Sequence, residues 1–172
     1  MRLIGETKAL ERLAELKQRF KLEVAPFEKA AKSCFTCETP GACCLDAHFV
    51  NVRISRLEAV AIDRHLTTLP AALRERADAR RKAAIEKYGL TNGSDVNQTY
   101  ACPLFEPGIG CLVHDTAKPL PCIHHACYEK PEDMPPANLL ADAEIAVDEL
   151  DRRTYLSPRP TLPLPIALGQ RS

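Results

Sequence analysis

The sequence predicts a mainly α fold, a small helical domain whose irregular cysteine-rich loops are clamped by a metal centre. Three observations carry this. Apolar residues recur at three- and four-residue steps through residues 6–24, 55–66, 70–88 and 138–155, the period of a helix with one buried face. Residues 102–127 are punctuated by Pro and Gly too often for a long helix. All eight cysteines fall in two stretches, 34–44 and 102–127, where irregular backbone is costly to hold by packing alone and a metal clamp would supply the rigidity.

At 172 residues and 45% hydrophobic, the chain can bury a real core, and its length favours one domain. Aromatics make up only 5% and Trp is absent, so that core is expected from Leu, Ala, Ile and Val. Leu10, Leu13, Leu16 and Phe20 line one face of the first helix. Pro26 should interrupt it and leave a shorter helical piece from Phe27 to Lys32. Together these form an N-terminal helical segment, 1–33, packed on a cysteine-cluster domain, 34–155.

Within that domain Phe49, Val52 and Ile54 read as a strand or extended segment. Ser55-Arg-Leu-Glu58 is a capping box, in which each side chain satisfies the other residue's backbone N–H. The helix it opens runs to about Leu66, with Leu57, Val60, Ala61 and Leu66 inward. Pro70 begins the next helix at a position that tolerates a missing N–H. Leu73, Ala77, Ala84 and Tyr88 share one of its faces, and Gly89 caps its end. Arg74, Arg76, Arg80, Arg81, Lys82 and Lys87 lie on it, but Glu75, Asp78 and Glu86 are interleaved. That pattern reads as a solvated, salt-bridged face rather than a phosphate site. Cys111–His114 reads as a short strand, and the last helix should turn Leu140, Ile145 and Leu150 inward. Residues 156–172 form a Pro-rich extended tail, draped over its own domain or loose.

Lys plus Arg and Asp plus Glu balance at 23 each, without the net basic field of a nucleic-acid binder. Met1-Arg-Leu-Ile-Gly runs into charged Glu6-Thr-Lys8 with no apolar signal region, and no apolar run approaches the roughly 18 residues of a membrane span. The expectation is a cytoplasmic protein with no nucleic-acid and no membrane partner. There thiols stay reduced, and clustered cysteines bind metal more often than they pair as disulfides.

Cys34-x2-Cys37 lets one short turn present two soft sulfurs to one metal. Cys43 and Cys44 are vicinal and diverge in most backbone conformations, so at most one should bind a given centre. Cys102, Cys111, Cys122 and Cys127 follow at separations of eight, ten and four intervening residues. Inert core cysteines would scatter, since a free Cys packs as a small hydrophobe. A disulfide framework and a set of reactive thiols are the alternatives to a metal site.

With those residues laid out, the chain resembles the CxxCxxCC cysteine-cluster family (YkgJ-like), described as zinc- or iron-chelating proteins. Cys34, Cys37, Cys43 and Cys44 match the first half of the family pattern, and the helix from Ser55 matches the one that follows it. Cys102-Pro103, the turn Gly108 to Gly110, Cys111-Leu-Val-His114, Lys118-Pro-Leu-Pro-Cys122 and Cys127 match the second half in order. The departures are the five residues between Cys37 and Cys43, Lys118 in place of the usual Arg, and His124-His125 where an Arg and an apolar residue are common. The resemblance implies a metal centre far more than it implies a reaction. A flagellin lysine-methylating enzyme resembles the family around its cysteine cluster, which makes a methyl-transfer-associated role one enzyme-class alternative.

Eight thiolates are twice what one tetrahedral zinc or one cubane cluster needs. Cys102-Pro103 and Pro121-Cys122 have the Cys/Pro neighbours of ferredoxin-type sites, which favours an iron–sulfur cluster, [4Fe-4S], over zinc. His114, His124 and His125 are candidate nitrogen ligands, although a loop His more often hydrogen-bonds or faces solvent. One centre is expected to draw Cys34 and Cys37 together with at least one cysteine of the second stretch. No phosphate loop, nucleophile elbow or zinc-protease motif is present, so no catalytic residue is assigned. The function expected is electron transfer, sensing or an accessory role, with a protein redox partner. Structural zinc binding and thiol-redox catalysis are the alternatives.

Overall fold

The computed structural model describes residues 3–32, 39, 41–45, 50–157 and 159–170. The fold is mainly α, with strands of only two residues. In chain order the elements are α1 (Glu6–Glu28), β1 (Ala31–Lys32), α2 (Ala42–Leu45), β2 (Arg53–Ile54), α3 (Arg56–Thr67), α4 (Ala71–Tyr88), β3 (Phe105–Glu106), β4 (Gly110–Cys111), α5 (Leu120–His124), β5 (Cys127–Tyr128), a 3-10 turn (Pro131–Asp133), α6 (Ala137–Tyr155), β6 (Leu162–Pro163) and α7 (Leu164–Ala167). No helix among the described residues is long and apolar enough to cross a membrane. The chain divides into two compact units, each assembled from two separate stretches.

The first unit comprises residues 1–40 and 119–160. Ala9, Leu13, Leu16, Phe20 and Val24, spaced by three and four, form the buried stripe of α1. Against it lie α5, with Leu120 and Ile123 buried, and α6, with Val147 and Leu150 buried. Tyr155 donates to Glu6 Oε2 at 2.9 Å and ties the end of α6 to the start of α1. β1 pairs antiparallel with β5, setting Lys32 opposite Cys127.

Two expectations are corrected in this unit. α1 does not break at Pro26 but runs through it to Glu28, and β1 takes the place of the helical piece ending at Lys32. The proline removes only a bond to residue 22, and Leu22 is 66% exposed, so the lost acceptor lies on the watered side, two residues from the helix end. Ile145 does not face inward; it is 66% exposed. Steps of five residues rotate about 140° around a helix, so Leu140, Ile145 and Leu150 cannot share one face.

The second unit comprises residues 41–118 and 161–172. Its core gathers Val50, Ile54, Ala59, Ile62, Leu90, Tyr100, Leu104, Val113 and Ala117 with Leu164, Ile166 and Ala167. The Ser55 capping box forms as expected: Glu58 N–H donates to Ser55 Oγ at 3.1 Å and Ser55 N–H to Glu58 Oε2 at 3.4 Å. Gly89 caps α4 in the left-handed region, φ 59°. The buried side of α3 is Leu57, Glu58, Ala59 and Ile62, so Val60, Ala61 and Leu66 are only half-buried. The Pro-rich end is draped over this unit and becomes part of its core. β6 pairs antiparallel with β2, and Leu164, Pro165, Ile166 and Ala167 of α7 are buried. Tyr100, 1% exposed, fastens it: its hydroxyl donates to Val52 O and accepts from Leu164 N–H at 3.1 Å.

Candidate metal centre

The second unit brings Cys102 and Cys111 together around one hairpin. β3 and β4 pair antiparallel, with Phe105 opposite Cys111 and Glu106 opposite Gly110. Gly108 (φ 79°) and Gly110 (φ 104°) supply the left-handed backbone that this turn requires. Leu112 N–H donates to Leu104 O at 2.9 Å and continues the pairing past Cys111.

The two cysteines have matching local geometry. Each begins a tight turn, closed by Phe105 N–H to Cys102 O at 3.4 Å and by His114 N–H to Cys111 O at 3.2 Å. In each turn the N–H two residues on, Leu104 or Val113, is directed at the cysteine sulfur, and Phe105 N–H also reaches that of Cys102. The backbone is therefore arranged as donors around two sulfur acceptors.

Burial pushes the Cys102 thiol up to about 12, against the pull of the Leu104 N–H, and the neighbouring Cys111 pushes it further. The Phe105 N–H and the Arg80 guanidinium draw it down by less. Burial likewise raises Cys111, partly offset by Val113 N–H and by Lys118. Without added positive charge these sulfurs stay protonated at neutral pH. A soft cation between them would reverse that, because a coordinating thiol is deprotonated outright.

Beside the pair stands an ion cluster built on one buried acid. Glu106, 9% exposed in its side chain, accepts from Arg76 Nε at 2.7 Å and Arg80 Nη1 at 2.6 Å. Burial opposes its charge, but the two guanidiniums prevail and hold its carboxyl below the ordinary value. So the basic face of α4 is only partly a solvated one. Asp78 does pair with Arg81 and Lys82 at the surface, whereas Arg76 and Arg80 reach over to the cysteine hairpin.

Cys44 joins this neighbourhood through the backbone, its carbonyl accepting from Cys102 N–H at 2.7 Å. Cys43 and Cys44 lie on α2, where successive side chains diverge by about 100°. Gly41 starts that helix at φ 78° with the Phe105 ring against it, so that a Cβ there would run into the ring.

Cys122 and Cys127 belong to the first unit, on α5 and β5. Cys127 stands opposite Lys32, the last described residue before Cys34 and Cys37. Those two cysteines lie outside the described residues, as does Phe49, so the expected C-x2-C pair and the ligands it shares fall there too. Among the described residues, no group of three or more His, Cys, Asp or Glu side chains is placed to hold a metal ion. The Cys102 and Cys111 sulfurs are half the number of donors that a tetrahedral site takes.

Of the candidate histidines, His124 is buried, stacked on Phe20 with ring centroids 6.4 Å apart, and its Nε2 lies 3.4 Å from Pro136 O. His114 is exposed beside Asp115, and His125 is exposed. Sequence reasoning passed over Glu106 and His65, whose Nε2 meets Leu112 O at 3.0 Å, and put Arg80 on a solvated face. A signal existed for Glu106: it is an acid set among apolar and turn residues in the cysteine loop. No family model matches the chain, and no curated protein or solved structure matches it.

Proposed function

We propose that this chain is a cysteine-ligated metal protein with Cys102 and Cys111 as two ligands of its centre. The observation that carries the reading is the matched pair of turns that aim backbone N–H groups at both sulfurs. Such donors stabilise a thiolate and tune the centre it holds. Burial that raises the Cys102 thiol also makes it a poor nucleophile at neutral pH, which argues against thiol catalysis at this residue.

The resemblance to the CxxCxxCC family and the eight clustered cysteines support an iron–sulfur centre serving electron transfer or sensing in the cytoplasm, where reduced thiols persist. Cys34, Cys37, Cys43, Cys44, Cys122 and Cys127 are the remaining candidate ligands.

The test is metal and sulfide analysis of protein purified without oxygen, alongside Cys102→Ser and Cys111→Ser. Stoichiometric iron and sulfide with a broad visible absorbance, lost in both variants, is the expected result. Colourless protein with tightly held zinc, lost in both, would keep the ligands and replace the cluster with a structural zinc site. Metal content unchanged in both variants would overturn the assignment of this pair.

A further inference from the structure

Arg80 has a donor left over. Its Nε donates to Pro103 O at 3.0 Å and its Nη1 to Glu106 Oε2 at 2.6 Å, which fixes the guanidinium beside the Pro103–Leu104 peptide. The third nitrogen, Nη2, is buried and has no hydrogen-bond partner among the described residues. An orphaned buried donor is costly, more so on a charged group, and calls for an explanation such as an absent partner.

The local charge points the same way. Two guanidiniums surround the single Glu106 carboxylate, leaving one positive charge in excess beside the cysteine pair. Arg76 is half exposed and serves Glu106, whereas Arg80 is the one whose charge acts on the Cys102 sulfur. A guanidinium fork can hold two acceptors rigidly and direct a third N–H at an anion.

Building on the metal reading above, we infer that Arg80 is a positioning residue of the centre. It grips Pro103 and Glu106 with two nitrogens and gives the third, Nη2, to the Cys102 thiolate when a metal is bound there. Arg80 thus acts through Cys102 and is not itself a ligand.

The test titrates metal-free protein with Co(II), reading chelator competition for affinity and the sulfur-to-cobalt charge-transfer band for the state of the sulfur. Removing a donor from a thiolate raises its lone-pair energy and moves that band to longer wavelength. Arg80→Gln should weaken Co(II) binding about 10–100-fold, the usual loss for a group that orients a ligand, and should shift the band. Arg76→Gln loses the same kind of Glu106 ion pair and should do neither. Arg80→Lys keeps a cation near Glu106 but has no Nη2; it should still shift the band, and it stands in if Arg80→Gln does not fold by circular dichroism. Weaker binding with an unmoved band in both Arg80 variants would make Arg80 a merely structural residue and overturn the inference. So would Arg80→Gln matching Arg76→Gln in both readouts. A wild-type chain that takes up no Co(II) and carries no metal as purified would instead sink the metal reading itself.

Discussion

Glu106 and Cys102 are two acids a few residues apart that the fold drives in opposite directions. Glu106 has two guanidiniums within hydrogen-bond reach, which outweigh its burial and lower its carboxyl. A lowered folded value stabilises the protein above the unfolded carboxylate range and is lost as pH falls through the folded value. Glu106→Gln should therefore lower the thermal midpoint at neutral pH. The gap from wild type should narrow as pH drops below about 4, as thermal melts across pH would show; a gap constant with pH would mean that the charge is not what matters. Cys102 is raised, so in the metal-free protein its contribution is present below the unfolded thiol range and lost as pH climbs from there toward about 12. At pH 8 its alkylation, followed by mass spectrometry, should be on the order of a hundredfold slower than that of an unfolded cysteine. Cys102 and Cys111 were legible as members of one cysteine-rich stretch, but the pair expected from the sequence was Cys34 and Cys37, and the approach of Cys102 to Cys111 around one hairpin was not read there. The Arg80–Glu106 contact was not legible, because charge interleaving along a helix says nothing of a loop 26 residues away.

Short helix signals were legible where the governing chemistry is local. Ser55 with Glu58, and Gly89 in the left-handed region, behave as their sequence context requires. Ser55→Ala should cost about 1 kcal/mol in chemical denaturation, the usual value of an N-cap, with an unchanged denaturant slope. Pro26 is the counter-case. The sequence rule assumes a helix interior, but the structure places this proline near the C-terminal end, opposite an exposed Leu22. Restoring the N–H there should help: Pro26→Ala is expected to stabilise the protein by about 1 kcal/mol, part of the roughly 3 kcal/mol separating the two residues in a helix interior. A destabilised variant would show that the proline's restriction of the unfolded chain outweighs the missing hydrogen bond. Which side of α3 or α6 faces inward was harder to read. Their apolar residues are more numerous than their buried ones, and the choice belongs to the elements packed against them.

At the scale of the whole chain, neither unit is contiguous, and this is what local patterning conceals. Residues 156–172 read as a proline-rich tail because their composition is that of one. What changes their role is a set of distant acceptors: Arg53 Nη2 donates to Thr161 O at 2.7 Å, and Leu164 N–H is shared between Val52 O at 3.0 Å and the Tyr100 hydroxyl. The prolines suit the task, since an edge pairing two residues long asks little of their missing N–H groups. Leu164 is 1% exposed in the same core that holds Tyr100 and Leu104, two residues either side of Cys102. Leu164→Ala should thus destabilise by about 2–5 kcal/mol, the range for a buried leucine whose cavity cannot fully collapse. Hydrogen exchange then locates the damage. Amides of Tyr100, Cys102 and Leu112, which bond to Val50, Cys44 and Leu104, should lose protection along with α3, while the α1–α6 amides keep theirs. Equal loss of protection in α1 and α6 would mean that the two units unfold as one, and that the tail supports more than the core into which it is packed.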